Sequence, residues 1–145
     1  LTIKQAEQAI ENGAKFIFAP NLNKELINFV KDNNILMIPG VFTPTEIYRA
    51  HSLGCNIVKV FPANVLGANY IKELKGPMPF IDYIPTGGVN LNNICDFFNT
   101  GAIAVGVGST LLDLHAIENE EYETITEISK RLFLKIYSES KGGSI

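Results

Sequence analysis

The chain has 145 residues, 46% hydrophobic and 19% charged, with twelve Lys and Arg against fifteen Asp and Glu for a net charge of −3. That composition supports a buried core rather than disorder, and its mild acidity is a poor footprint for nucleic acid, which favours a basic face. No stretch approaches the roughly 18 apolar residues of a membrane span. Two cysteines, Cys55 and Cys95, are too few for a disulfide scaffold, so a reducing, cytoplasmic setting is the default expectation.

Thr2 can cap a helix over Thr2–Asn12, with Ile3, Ala6 and Ile10 on one face and Gly13 as its stop. A short apolar run, Phe16–Ala19, ends in Pro20-Asn21. A helix over Lys24–Asp32 precedes the run Ile35–Val41, which Pro39-Gly40 interrupts. Thr43-Pro44-Thr45-Glu46 is a capping signal for a helix that reaches Ser52 and stops at Gly54. Ile57–Phe61 is the third apolar run, followed by a helix over Ala68–Leu74. Ile81–Pro85 is the fourth and leads through Thr86-Gly87-Gly88 into a helix over Leu91–Asn99. Ala102–Val107 is the fifth, ending in Gly108-Ser109-Thr110. A final helix covers Tyr122–Ser138, and residues 142–145, Gly142-Gly143-Ser144-Ile145, read as a flexible tail.

Uninterrupted apolar runs alternating with helices predict an α/β fold whose parallel sheet is covered on both faces. An open doubly wound sheet and a closed (β/α)₈ TIM barrel both satisfy the alternation. The first strand–helix junction lacks the G-x-G-x-x-G fingerprint of a dinucleotide fold. The five units from Phe16 to Lys141 average roughly 25 residues, and eight such units need about 200. The expectation is therefore a barrel to which residues 1–141 contribute five strand–helix units, about three strands short of closure, as part of a single domain.

Lys59 stands in the middle of Ile57-Val58-Lys59-Val60-Phe61, where alternation puts Ile57, Lys59 and Phe61 on one strand face. A buried ammonium loses hydration and its pKa falls, which makes the amine a nucleophile able to form an imine with a carbonyl compound. The same residue also fits a strand-edge lysine that reaches solvent or pairs with a carboxylate. Pro85-Thr86-Gly87-Gly88 and Gly106-Val107-Gly108-Ser109-Thr110 each lead from a strand towards a helix. Amides and a hydroxyl at such junctions bind phosphate, although glycines there also serve simply to turn the chain. His51 falls near the end of a helix, and His115 among Asp113, Leu114 and Glu118 reads as a surface residue. No His, Cys, Asp and Glu cluster has metal-ligand spacing, so no metal is expected. Cys55 and Cys95 read as buried, inert thiols, Phe97 and Phe98 as core, and Glu118-Asn119-Glu120-Glu121 as a solvated helix start.

Gly54-Cys55-Asn56-Ile57-Val58-Lys59-Val60-Phe61-Pro62-Ala63 resembles the lysine motif of the KDPG/KHG aldolases, the class I 2-keto-3-deoxy-6-phosphogluconate and 4-hydroxy-2-oxoglutarate aldolases. Ile38-Pro39-Gly40-Val41 with Thr43-Pro44-Thr45-Glu46, then Pro85-Thr86-Gly87-Gly88, then Gly106-Val107-Gly108-Ser109 follow in the matching order. The resemblance implies a (β/α)₈ barrel working as a homotrimer on a small-molecule 2-keto acid, without metal or cofactor, in Entner–Doudoroff carbohydrate metabolism. Lys59 would form the Schiff base with pyruvate or the keto end of the substrate. Phe61 would pack beside the imine and Thr86 would orient the substrate. Gly87, Gly88, Gly108 and Ser109 would hold the phosphate.

Two departures accompany the resemblance. Asn21 follows Pro20 where a glycine is expected, and asparagine tolerates a left-handed backbone. Leu1 aligns just after the family's third strand, so the proton-shuttling glutamate and the arginine and threonine that bind the pyruvate carboxylate have no matching position. Loss of a general base costs roughly 10²–10⁴ in rate, so little turnover is expected from these residues alone. A phosphosugar isomerase or epimerase barrel, or a non-catalytic fragment, are the alternatives.

Overall fold

The computed structural model describes residues 1–142. In chain order its elements are α1 (Ile3–Glu11), β1 (Phe16–Phe18), α2 (Lys24–Asp32), β2 (Leu36–Ile38), β3 (Gly40–Val41), α3 (Pro44–Ser52), β4 (Ile57–Val60), α4 (Ala63–Leu66), α5 (Ala68–Lys75), β5 (Asp82–Pro85), α6 (Ile94–Asn99), α7 (Leu114–Glu118) and α8 (Tyr122–Gly142).

Local chemistry starts four of the helices. Thr2 with Gln5, and Thr43 with Glu46, form reciprocal capping boxes at α1 and α3, and Pro44 opens α3 where no amide is needed. Asn23 caps α2 by accepting from the Leu26 amide at 3.0 Å, and Asp113 caps α7 by accepting from the amides of His115 and Ala116. Burial pushes the Glu46 pKa up, but hydrogen bonds from the Phe42 and Thr43 amides and the Thr43 hydroxyl outweigh it and hold the carboxyl below its ordinary value.

All strand pairs are parallel, as the alternation predicts. β1 pairs with β2, Phe18 standing opposite Ile38. β4 lies between β3 and β5, with Lys59 opposite Gly40 on one side and Ile84 on the other. The single run expected over Ile35–Val41 is divided into β2 and β3. Pro39 has no amide to donate, yet its carbonyl accepts from Lys59 N at 2.9 Å while Gly40 N donates to Asn21 O at 3.3 Å. Pairing thus passes from β1 to β4 across the proline, and the two sheets curve into one wall.

The fifth run, Ala102–Val107, is not a strand. Ile103 N donates to Tyr83 O at 3.2 Å and Gly106 N to Pro85 O at 2.9 Å, so three residues step past two. The extra residue makes a bulge, and only an isolated bridge between Thr86 and Gly106 survives.

Val58 and Val60 are fully buried and join Ile47, Ala50, Ile71, Leu74 and Ile81 in the core. Phe97 is buried in the same cluster and Phe98 packs against it. Cys55 and Cys95 are both buried, and burial pushes the Cys55 thiol up despite the nearby Lys31 ammonium. α4 and α7 have no counterpart in the sequence pattern, because four and five residues are too few to display a helical period. Glu118 ends α7, and Glu120 takes a positive φ of 58° before α8 begins, so the acidic run is a helix junction rather than a helix start. Gly142 belongs to α8 instead of the expected tail, and Gly143, Ser144 and Ile145 lie outside the described residues.

Candidate functional site

Lys59 is held by a central strand. Its backbone is paired on both sides, and its side chain is one of the few charged groups drawn inside, with 9% of the residue exposed. Nζ lies 4.4 Å from the centroid of the Phe61 ring and 4.7 Å from that of Phe18. Among the described residues no carboxylate forms an ion pair with it. Neither the strand-edge position nor the carboxylate pairing open to it in the sequence is what the fold delivers. Burial lowers its pKa below the ordinary lysine value of 10.5, which makes the neutral amine more available.

Thr86 follows β5 directly. Its amide donates to Val60 O at 2.9 Å and its hydroxyl to Ile84 O at 3.3 Å. The turn after β4 is tied to the turn after β5: Ala63 N donates to Thr86 O at 2.8 Å and Asn64 N to Gly87 O at 3.1 Å. Gly87 and Gly88 have φ of 95° and 70°, and a Cβ on Gly87 would press on the Phe61 ring while one on Gly88 would collide with Asn64. Lys59, Phe61, Thr86, Gly87 and Gly88 therefore meet at the carboxyl ends of β4 and β5. The bridge from Thr86 to Gly106 sets the next loop beside them. Gly108 and Ser109 stand exposed on that loop, in a turn closed by the Leu111 and Leu112 amides on Gly108 O.

Neither glycine turn leads straight into a helix. α6 begins at Ile94, three residues beyond the expected Leu91, because Asn90 and Asn93 first build a turn in which both side-chain amides donate to Gly88 O. α7 begins only at Leu114. These loops offer amides rather than a helix dipole, and among the described residues the amides of Gly88, Gly108 and Ser109 donate to no protein acceptor. Asn21 does not adopt the left-handed conformation; it keeps negative φ and accepts from Gly40 N. Gly40 makes that approach feasible, since a Cβ there would collide with the Pro20 backbone.

His51 and His115 lie elsewhere. His51 Nδ1 is 2.8 Å from Asn56 Oδ1, its ring packed against Phe80, and His115 meets Asn119 on α7. The described residues contain no group of three metal-ligating side chains, and no described helix is long and apolar enough to cross a membrane. Phe18 is the site residue that the sequence hides: its only signal is the alternation Phe16-Ile17-Phe18, which puts both phenylalanines on one face. That face borders an apolar cavity of about 350 Å³ lined by Phe16, Phe18, Leu36, Ile38 and Ile84, and by the 104–106 segment.

The family described as KDPG and KHG aldolase matches residues 1–128 of the chain. The chain is 31% identical over 132 residues to the 2-dehydro-3-deoxy-phosphogluconate aldolase of Treponema pallidum, covering 90% of this chain and 63% of that protein. It is 32% identical over 130 residues to the corresponding aldolase of Pseudomonas aeruginosa, covering 89% and 58%. Its fold superposes on the KDPG aldolase of Legionella pneumophila, captured with pyruvate as a covalent carbinolamine, with a TM-score of 0.82 and 31% identity over 88% of this chain and 63% of that one. The chain thus spans less than two thirds of these relatives' length, and its parallel strands and helices form the corresponding part of a TIM-type barrel.

Proposed function

The chain belongs to the KDPG and KHG aldolase family, and on that premise we propose that it carries the Schiff-base and phosphate-binding side of a class I aldolase. The observation that carries the reading is Lys59 itself: a buried amine of lowered pKa, with no carboxylate partner among the described residues, next to Thr86 and two glycine loops.

In the proposed reaction the neutral Lys59 amine attacks the C2 carbonyl of a 2-keto-3-deoxy sugar acid phosphate, or of 4-hydroxy-2-oxoglutarate. The carbinolamine loses water to give a protonated imine, which draws the electrons of the C3–C4 bond as that bond breaks. The C4 hydroxyl gives up its proton and leaves as an aldehyde, glyceraldehyde 3-phosphate or glyoxylate. The enamine is protonated at C3, and water releases pyruvate and regenerates the amine. Phe61 packs beside the imine, and Thr86 orients the keto acid through its hydroxyl. Gly87, Gly88, Gly108 and Ser109 receive the phosphate on their amides and on the Ser109 hydroxyl. The amides left free at Gly88, Gly108 and Ser109 support that assignment.

The same reading makes residues 1–141 the C-terminal part of one barrel, and the whole protein a cytoplasmic homotrimer in Entner–Doudoroff metabolism. Borohydride reduction in the presence of pyruvate tests the chemistry. The expected result is a mass gain of one reduced pyruvate, mapped to Lys59 and lost in Lys59→Met. A well-folded complete protein that gains no adduct counts against the aldolase and favours a phosphosugar isomerase or epimerase.

A further inference from the structure

Two aromatic rings from different strands bracket Lys59 Nζ. Phe61 lies two residues further along the chain, at 4.4 Å, and Phe18 comes from β1, at 4.7 Å. β1 is not paired with β4, so Phe18 reaches the lysine across the inner face of the curved wall. Gly40, the register partner of Lys59, permits this: without a Cβ it lets the Pro20-Asn21 backbone at the end of β1 close in.

Among the described residues no charged side chain pairs with Lys59. From β3 the partner is Gly40 and from β5 it is Ile84, while Asp82 at the far end of β5 faces Lys75 at 3.9 Å. We propose that Phe18 is a positioning residue for Lys59, forming with Phe61 a two-ring clamp that holds a positive charge at Nζ, first as the ammonium and then as the protonated imine. The proposal rests on the Schiff-base reading. Ring faces carry negative charge density and attract a cation. Unlike a carboxylate, a ring cannot accept the proton, so the clamp steadies the cation without competing for the proton that imine chemistry moves. Burial by the same rings favours the neutral amine, and the two effects together keep both forms within reach.

The test is a ¹³C NMR titration of the lysine ε-carbons in the full chain, the Lys59 signal being assigned by its loss in Lys59→Met. Phe18→Leu keeps apolar bulk and removes the π face. Its Lys59 midpoint should fall by about half a pH unit, a roughly threefold rise in neutral amine, while Phe18→Tyr should retain the original midpoint. If Phe18→Leu does not fold, 3,4,5-trifluorophenylalanine placed at position 18 keeps the shape, drains the ring density and should give the same fall. An unchanged or raised midpoint in the folded substituted protein overturns the clamp, since Phe18 would then act only as bulk. Pyruvate trapping on the unsubstituted chain is read separately. Trapping without a titration shift leaves the Schiff base standing and removes the clamp; a shift without trapping does the reverse.

Discussion

Gly106 and Thr86 touch where the sheet edge bulges: a Cβ on Gly106 would overlap the threonine hydroxyl and come within 2.7 Å of its methyl carbon. The close fit and the bridge place Thr86 between β5 and the loop that carries Gly108 and Ser109. Gly106→Ala should therefore destabilise the chain by about 1–3 kcal/mol in urea denaturation and slow pyruvate trapping at Lys59. Gly108→Ala, where an added Cβ meets nothing within 4 Å, should stay within about 0.5 kcal/mol of the parent. Equal stability of the two variants would remove the steric role of Gly106.

Lys59 binds its proton less tightly in the folded chain than in the unfolded one, because burial lowers its pKa from 10.5. Ionised Lys59 therefore opposes folding at neutral pH. That penalty fades as pH rises from the lowered folded value through 10.5. Lys59→Met should be more stable than the parent at pH 7, with an advantage that shrinks in alkali, while it gains no pyruvate adduct. Denaturation midpoints of the two proteins across that range decide the matter, and a pH-independent difference would contradict it.

Tyr83 has the opposite sign. It is fully buried, and its hydroxyl donates to Met78 O at 3.2 Å, with Leu74 O at 3.5 Å. Burial, assisted by Tyr70, pushes its pKa from 10.0 up to about 12. The protonated phenol contributes stability that is fully present below pH 10 and is lost as pH rises towards 12. Tyr83→Phe should cost about 1 kcal/mol near neutrality, less in strong alkali, and should remove the latest step from a tyrosinate absorbance titration.

Gly40→Ala probes the close approach beneath Lys59. The Cβ would collide with backbone atoms of Pro20 and Asn21, which cannot swing aside as a side chain can. A loss of about 3 kcal/mol, at the upper end for overpacking, is expected by denaturation. Displacement of β1 should also carry the Phe18 ring away from Lys59, visible as a changed ε-carbon shift. A variant as stable as the parent would show that β1 and β3 slide apart freely.

Much of the site can be read along the chain. Strand alternation puts Lys59 and Phe61 on one face, and the glycines at 87 and 88 mark a turn whose positive φ the fold requires. Local periodicity and capping depend on neighbours in sequence, so Thr2, Asn23 and Thr43 announce their helices. Phe18 is different, because its meaning comes from a strand two places away in the wall. The delayed start of α6 depends on how Asn90 and Asn93 turn back on Gly88 O, a competition between side-chain and helical bonds that hydrophobic pattern does not register.

The alternation of apolar runs with helices, Lys59 on the same strand face as Phe61, and the glycine turns after the last apolar runs are all written locally in the chain, because they follow from periods of two and 3.6 and from backbone freedom at glycine. The central-strand position of Lys59, its aromatic rather than acidic neighbours, the handover of pairing from β1 to β4 at Pro39 and the bulge of Ala102–Val107 out of the ladder arise only on folding. Each of these rests on contacts between residues distant in the chain, where close packing and the count of residues per hydrogen bond, rather than local pattern, select the arrangement.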